Sequence, residues 1–310
     1  MTHSLTIGQL LSAQANHNRP AILAVDRAPL NPAYRAAESD FYLQDLAADA
    51  VIIAAGVDSP VREVAAARKI QIIELIPGPM TAGLFALAGN TDLPTAPIGF
   101  AQTDDIALIL HTSGTTSQPK MVPLTQRNIL HSAHNIGTIL ALSPADRCLN
   151  VVPLFHIHSL MAALLALLTA GGSVVCTPGF DATHLFSWLH EHQPTWYTAV
   201  PTIHQAILER AAIEQPQSQP ARLRFVRSSS ASLPSTVMTA LEETFNAPVI
   251  EVYGMTEAAH QMASNPLPPL ARKPGSVGMA AGPAVAIMAE DRDELLAIGE
   301  IGEVVCHSHL

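Results

Sequence analysis

Charge is what this chain has least of: charged residues are 14% of its 310 positions, against 48% hydrophobic. That balance excludes a disordered chain and fits a large buried core. The formal net charge is −10 and no basic cluster offsets it, which excludes nucleic acid as the main partner. Cysteine is scarce as well. Cys148, Cys176 and Cys306 stand far apart, without the paired spacing of a metal or redox site. The expectation is a cytoplasmic protein in a reducing compartment. Residues 1–20, MTHSLTIGQLLSAQANHNRP, have no basic region followed by an apolar core, so no secretory leader is expected. Long apolar runs are missing too. Leu160–Leu168 continues into Gly171 and Gly172, too short and too broken for a membrane span. It reads as a buried helix followed by a strand. No Gly-x-Ser-x-Gly elbow occurs, so no side-chain nucleophile of that kind is expected.

What the chain does have is an alternation of helical and strand periods. At this length one large or two modest domains are expected. Residues 6–16 place Ile7, Leu10, Leu11 and Ala15 on one helical face. A strand at Pro20–Val25, a helix through Leu46 and a strand at Ala50–Ala55 come next. A helix at Ser59–Lys69 and a strand at Ile70–Ile76 complete the first part. Gly78–Pro97, rich in Gly, Pro and Ala, reads as a connecting loop and the first boundary. The pattern predicts an α/β fold of mostly parallel sheets with helices on both faces.

The most informative stretch is Ile106–Gln126. Ile106–Leu110 has the length and content of a buried strand. It breaks into His111-Thr112-Ser113-Gly114-Thr115-Thr116-Ser117-Gln118-Pro119-Lys120, and a helix is predicted from Thr125, with Asn128 three residues on as partial capping signal. Hydroxyls, exposed backbone N–H groups and a lysine suit phosphate oxygens. A plain Ser/Thr-rich turn has equal weight on composition alone. A Walker loop is excluded, because Pro119 precedes Lys120 and Met121 follows it.

Other stretches carry weaker signals. His156 and His158 lie two apart, a spacing that metals use, but no carboxylate or cysteine accompanies them. Ser228-Ser229-Ser230-Ala231-Ser232 is a small-residue turn that allows a flat ligand close approach, or an ordinary strand-to-helix turn. Glu251-Val252-Tyr253-Gly254-Met255-Thr256-Glu257 combines an aromatic ring, a hydroxyl and a carboxylate after a strand.

The run His111–Lys120 closely resembles the signature loop of the adenylate-forming superfamily, which includes acyl-CoA synthetases, luciferases and adenylation domains. Met121 departs from it, since glycine is usual after the lysine; no ligand is lost. Glu251–Glu257 resembles a second motif of the same superfamily, far away in the chain. The resemblance implies an ATP site. Thr112, Ser113, Gly114, Thr115, Thr116 and Lys120 would hold the β- and γ-phosphates. Ser230, Ala231, Ser232, Tyr253, Gly254 and Met255 would line the adenine side. Thr256 would donate to the α-phosphate, and Glu257 would bind Mg²⁺. Catalysis would rest on Thr256, Glu257 and Lys120 through positioning and charge neutralisation. PLFHIHSL resembles the segment that gates the carboxylate pocket and points to His156, with Ser230 and His260 as further pocket residues. His260–Pro269 and Lys273–Gly278 resemble oxalate–CoA ligases, which implies a small dianionic acid with ATP, Mg²⁺ and CoA. The competing expectations are a nucleotide-binding remnant without turnover and an adenylation module serving a carrier protein.

Three segments are expected: a partial first lobe at 1–97, an ATP- and carboxylate-binding lobe at 98–280, and the start of a β subdomain at 281–310. Compared with the superfamily, several elements between Asp26 and Ala28 are expected to be missing. So are the ribose-binding aspartate, the hinge and the small C-terminal domain after Val305.

Overall fold

The structure, a computed structural model, describes residues 22–24, 33–78, 85–89, 101–112, 119–214 and 222–307. The periodic segment at 6–16 and the hydroxyl-rich residues 113–118 lie outside it. Strand β1 (Ile22–Ala24) is followed by α1 (Ala36–Asp45), β2 (Ala50–Ala54), α2 (Pro60–Arg68) and β3 (Gln71–Pro77). Helix α2 starts where Ser59 Oγ accepts the Val61 N–H and Pro60 supplies a preset φ, and it ends at Lys69 with φ of 59°. Strands β2 and β3 pair in parallel. Val51 and Ile53 face Ala65 of α2, whereas Ile52 between them points outward, the period of two expected of a strand.

Two expectations change here. Part of the supposed loop at Gly78–Pro97 is strand β4 (Phe85–Ala88), antiparallel to β3. Its four residues, Phe-Ala-Leu-Ala, are too short a run to stand out from the Gly, Pro and Ala around them, and backbone pairing at a sheet edge decides the conformation. The apolar run read as a buried strand is β5 (Ile106–Thr112), but it forms an antiparallel hairpin with β6 (Lys120–Thr125). Ile106 and Ile109 remain 52% and 39% exposed. Helix α3 (Gln126–Ile139) follows at once. Its capping box is complete: Thr125 Oγ1 accepts the Asn128 N–H and Asn128 Oδ1 accepts the Thr125 N–H.

The larger body continues with β7 (Arg147–Asn150), a π-helical turn at Ser159–Leu165, α4 (Ala166–Thr169) and β8 (Ser173–Cys176). Then come α5 (Leu185–His192), β9 (Trp196–Ala199), α6 (Pro201–Glu214), β10 (Phe225–Ser228) and α7 (Ser235–Phe245). Strands β11 (Val249–Met255), β12 (His260–Ser264) and β13 (Met279–Ala280) precede a hairpin of β14 (Ala284–Met288) and β15 (Glu303–His307). The main sheet runs β1-β8-β7-β9-β10-β11-β12-β13. It is parallel through β11 and antiparallel at β12 and β13. Strand β1, from the expected first lobe, is therefore an edge of this sheet.

Both faces of the sheet are covered, and the sequence alternates to match. Cys148, Val174, Trp196, Phe225 and Ile250 face α3 and the π-helical turn. Leu149, Val175, Tyr197, Val226 and Val249 face α5, α6 and α7. Continuing the same period, Thr198 and Arg227 fall on the α3 side and Glu251 on the other. The carboxyl ends of β7, β9, β10 and β11 meet at one edge, where ligands of open parallel sheets bind. No helix among the described residues is long and apolar enough to cross a membrane.

Candidate active site

Strand β10 brings a buried cation to that edge. Arg227 is fully buried, yet it makes no ion pair with any described residue. Glu251 is near in the neighbouring strand, but the pleat turns the two side chains to opposite faces. One oxygen of Glu251 instead accepts the Leu233 N–H at 2.9 Å, bracing the turn that follows β10. Arg227 Nη2 donates to His260 Nε2 at 3.0 Å and to Gln261 Oε1 at 3.2 Å; Nη1 donates to Thr198 Oγ1 at 3.4 Å. Thr198 Oγ1 lies 2.6 Å from His158 Nε2, and His158 Nδ1 lies 3.1 Å from Ser230 Oγ. The rings of His158 and His260 stack at 5.4 Å. The cluster thus joins the π-helical turn, β9, β10, the Ser230 turn and β12.

Burial decides the charge state. The Arg227 guanidinium is pushed down to about 9 by desolvation. Both imidazoles lie well below the ordinary histidine value, through burial first and the Arg227 charge second. At neutral pH the cluster therefore holds one cation and two neutral rings. Ser230 sits at the exposed lip of the cluster with φ of 74°, in the left-handed region, as a turn between buried strand and open edge requires.

The second motif stands beside it. Val249–Val252 are buried, while Tyr253 and Met255 emerge from the sheet edge. The β11–β12 pairing slips at Tyr253 and Gly254. Gly254 lies so close to the His260 backbone that any Cβ there would overlap the His260 carbonyl oxygen. A short 3₁₀ turn, Thr256–Ala258, follows, and Ser132 Oγ of α3 donates to the Ala259 carbonyl at 2.6 Å, tying that turn down. Glu257 is exposed, and Thr112 Oγ1 donates to it at 3.4 Å. Thr112 pairs with Lys120 across the hairpin, so both ends of the hydroxyl-rich loop start next to Glu257. His111, one residue earlier, contacts Asp45 Oδ2 at 2.8 Å and the Tyr42 ring at 4.7 Å, fastening the hairpin to α1.

The structure brings together Thr112, Lys120 and Glu257 on one side, and Ser230 and His260 on the other. Ser113, Gly114, Thr115 and Thr116 lie outside the described residues. Ala231 and Ser232 are exposed beside Ser230. His156 is exposed, its ring tilted against Phe155 at 4.4 Å, and it takes no part in the cluster's hydrogen bonds. Sequence reasoning missed Arg227, Thr198 and His158. The usable signal was an arginine inside a short apolar strand, a place where arginine is seldom buried without purpose. No group of three or more His, Cys, Asp or Glu able to hold a metal occurs among the described residues. The hard oxygens of Glu257 and Thr112 still suit Mg²⁺, which needs only one or two protein carboxylates when phosphates supply the rest.

Residues 25–310 match the family described as AMP-binding enzyme. An oxalate–CoA ligase of Arabidopsis thaliana is 43% identical over 284 residues, covering 89% of this chain and 54% of that protein. An oxalate–CoA ligase of Saccharomyces cerevisiae is 38% identical over 310 residues, with the same two coverages, 89% and 54%. The chain therefore spans about half the length of the curated relatives it matches. Among solved structures, ATP-bound MatB from Rhodopseudomonas palustris superposes with a TM-score of 0.74 at 24% identity, covering 96% of this chain and 62% of that one. That likeness shows the fold, a mixed α/β architecture.

Proposed function

The chain belongs to the AMP-binding enzyme family, and from that premise we propose that it carries the acid-activating core of a carboxylate–CoA ligase for a small dianion such as oxalate. A carboxylate oxygen of the acid attacks the α-phosphorus of ATP, pyrophosphate leaves, and an acyl-adenylate forms. The sulfur of CoA then attacks the acyl carbon, and AMP leaves with the carboxylate oxygen.

Arg227 is the observation that carries this proposal: a buried guanidinium with no carboxylate partner among the described residues is a standing site for an anion. Its attraction is strong because the surroundings exclude water. His260 and the Ser230 hydroxyl complete a short, polar pocket that suits a second carboxylate better than an alkyl chain. His156 stands at its outer side as a gate. Tyr253 offers its exposed ring to adenine, with Gly254, Met255, Ser230, Ala231 and Ser232 as the walls. Thr256 donates to the α-phosphate, and Lys120 with Thr112, Ser113, Gly114, Thr115 and Thr116 holds the outer phosphates. Mg²⁺, held by Glu257, would offset phosphate charge when bound. Holding the two reactants in line is the main catalytic contribution.

We propose the division at 97/98 and 280/281 as well, with β1 lent to the main sheet, since the small β2–β4 sheet ends before the first boundary and the β14–β15 hairpin begins after the second. Transfer to a carrier protein is the less favoured route, because the similar proteins named above are CoA ligases.

The test is ATP–pyrophosphate exchange by the 310-residue chain, with oxalate, acetate or a medium-chain acid. Exchange reports the first half-reaction alone. Stimulation by oxalate, with Glu257→Gln lowering it by ~10²-fold or more, is the expected result. A folded protein that binds ATP but exchanges with no acid would instead be a nucleotide-binding remnant.

A further inference from the structure

We infer that Arg227 and Thr198 are positioning residues that lock His158 and His260 into the same tautomer, each with its proton on Nδ1. This deepens, and rests on, the acid pocket proposed above. The inference follows from counting donors. A guanidinium can only donate, so His260 Nε2, at 3.0 Å from Arg227 Nη2, must be an acceptor and carry no proton. The ring is neutral in this buried setting, which leaves its proton on Nδ1.

Thr198 passes the same constraint to His158. Its hydroxyl accepts from Arg227 Nη1 at 3.4 Å and lies 2.6 Å from His158 Nε2. If it accepted from both, its own proton would have no acceptor in this buried network, a costly arrangement. The arrangement that leaves neither Thr198 nor His158 with an unpaired polar atom has Thr198 O–H donating to Nε2. His158 then carries its proton on Nδ1 and donates it to Ser230 Oγ at 3.1 Å. Ser230, its lone pair engaged, turns its O–H outward at the exposed edge. One guanidinium thus sets the polarity of two chains of hydrogen bonds, Arg227–Thr198–His158–Ser230 and Arg227–His260. Both end in donors. A pocket lined in this way favours an ionised acid oxygen, which only accepts, over a group that can only donate at the same place.

Imidazole nitrogen resonances separate protonated from bare nitrogens, so the lock is read directly from ¹⁵N-histidine-labelled protein without substrate. Of the 14 histidines, those at 158 and 260 are assigned from His158→Gln and His260→Gln. Wild-type protein is expected to show bare Nε2 and protonated Nδ1 at both rings. Thr198→Val, nearly isosteric, should move His158 toward the Nε2-protonated form and leave His260 alone. It should also raise KM for oxalate ~10-fold, the scale of one lost hydrogen bond, with KM for ATP unchanged. A wild-type His158 protonated on Nε2, or a His158 spectrum indifferent to Thr198→Val, would overturn the lock; were that variant unfolded, the wild-type spectrum alone would decide. Added oxalate should shift the His260 nitrogens. Locked tautomers that ignore oxalate would uphold the lock and overturn the pocket assignment.

Discussion

At the proposed acid pocket, Arg227, His158 and His260 are buried and linked in one hydrogen-bonded cluster, while at the root of the proposed phosphate loop Lys120 and Glu257 stand exposed around the 3.4 Å contact with Thr112. In the proposed function both regions serve anions, yet their physics differs. A buried cation without a partner is unfavourable in the free protein and gains strongly when an anion arrives. Exposed charges are hydrated, screened by salt and nearly neutral for stability. A small dianion has few atoms with which to be recognised, so its site has to be pre-built in a dry place. A polyphosphate brings many oxygens and its own metal, and an open set of hydroxyls and one lysine is enough.

The largest effect is expected where the two regions meet, at Gly254. Its Cα lies against the His260 backbone, and a methyl there would overlap the carbonyl oxygen. Gly254→Ala must push β11 away from β12, moving Tyr253 and Thr256 on one side and His260 on the other. A loss of about 3 kcal/mol or more is expected, read as the shift in urea midpoint. An unchanged midpoint would mean that the two regions are not tied through this strand pair.

Acid should damage the buried region next. His158, His204 and His260 are all held below the ordinary value of 6.5 by burial, His204 at about 4. Their unfolded forms bind protons first, so the stability they contribute is full above pH 6.5 and falls as the pH drops below it. Between pH 6.5 and 5, His204 alone removes about 2 kcal/mol. Urea unfolding at the two pH values checks this. A flat profile would show that the rings are already charged in the fold, which the donor-only contact of Arg227 with His260 forbids.

Sequence and structure agree best where pattern is local. The alternation along β7, β8, β9, β10 and β11, the Ser59 and Thr125 caps and the turn after Tyr253 are written in neighbouring residues. The hairpin of β5 and β6 was misjudged because an apolar run does not say how many strands will cover it. The proposed acid pocket was the least legible part. His158, Thr198, Arg227 and His260 come from four segments and meet only through the strand order β7-β9-β10-β11-β12. His156 and His158 are equally good candidates by eye, and only the turn of the helix that begins there decides which ring goes inward. Arg227 looks like a surface residue until the pleat assigns it to the α3 face.

The smallest stability effects separate the two regions most sharply. Glu257→Gln removes an exposed carboxylate, so unfolding should shift by no more than about 0.5 kcal/mol while exchange collapses. Arg227→Met removes a buried charge and fills its volume. Replacing buried charge by well-packed apolar atoms is neutral or stabilising by about 1–4 kcal/mol, although His260, Gln261 and Thr198 each lose a donor here. The net expectation is a protein as stable as its parent to within about 1 kcal/mol. Its KM for oxalate should nevertheless rise by roughly 10–100-fold, the worth of a charge-assisted bond. Acid sensitivity should also soften, because the Arg227 charge helps to hold His158 and His260 down. If Arg227→Met instead unfolds the chain while oxalate still binds the remaining folded fraction normally, the guanidinium is a structural brace. The contrast between a charged, pre-built acid site and an open phosphate site would then fall.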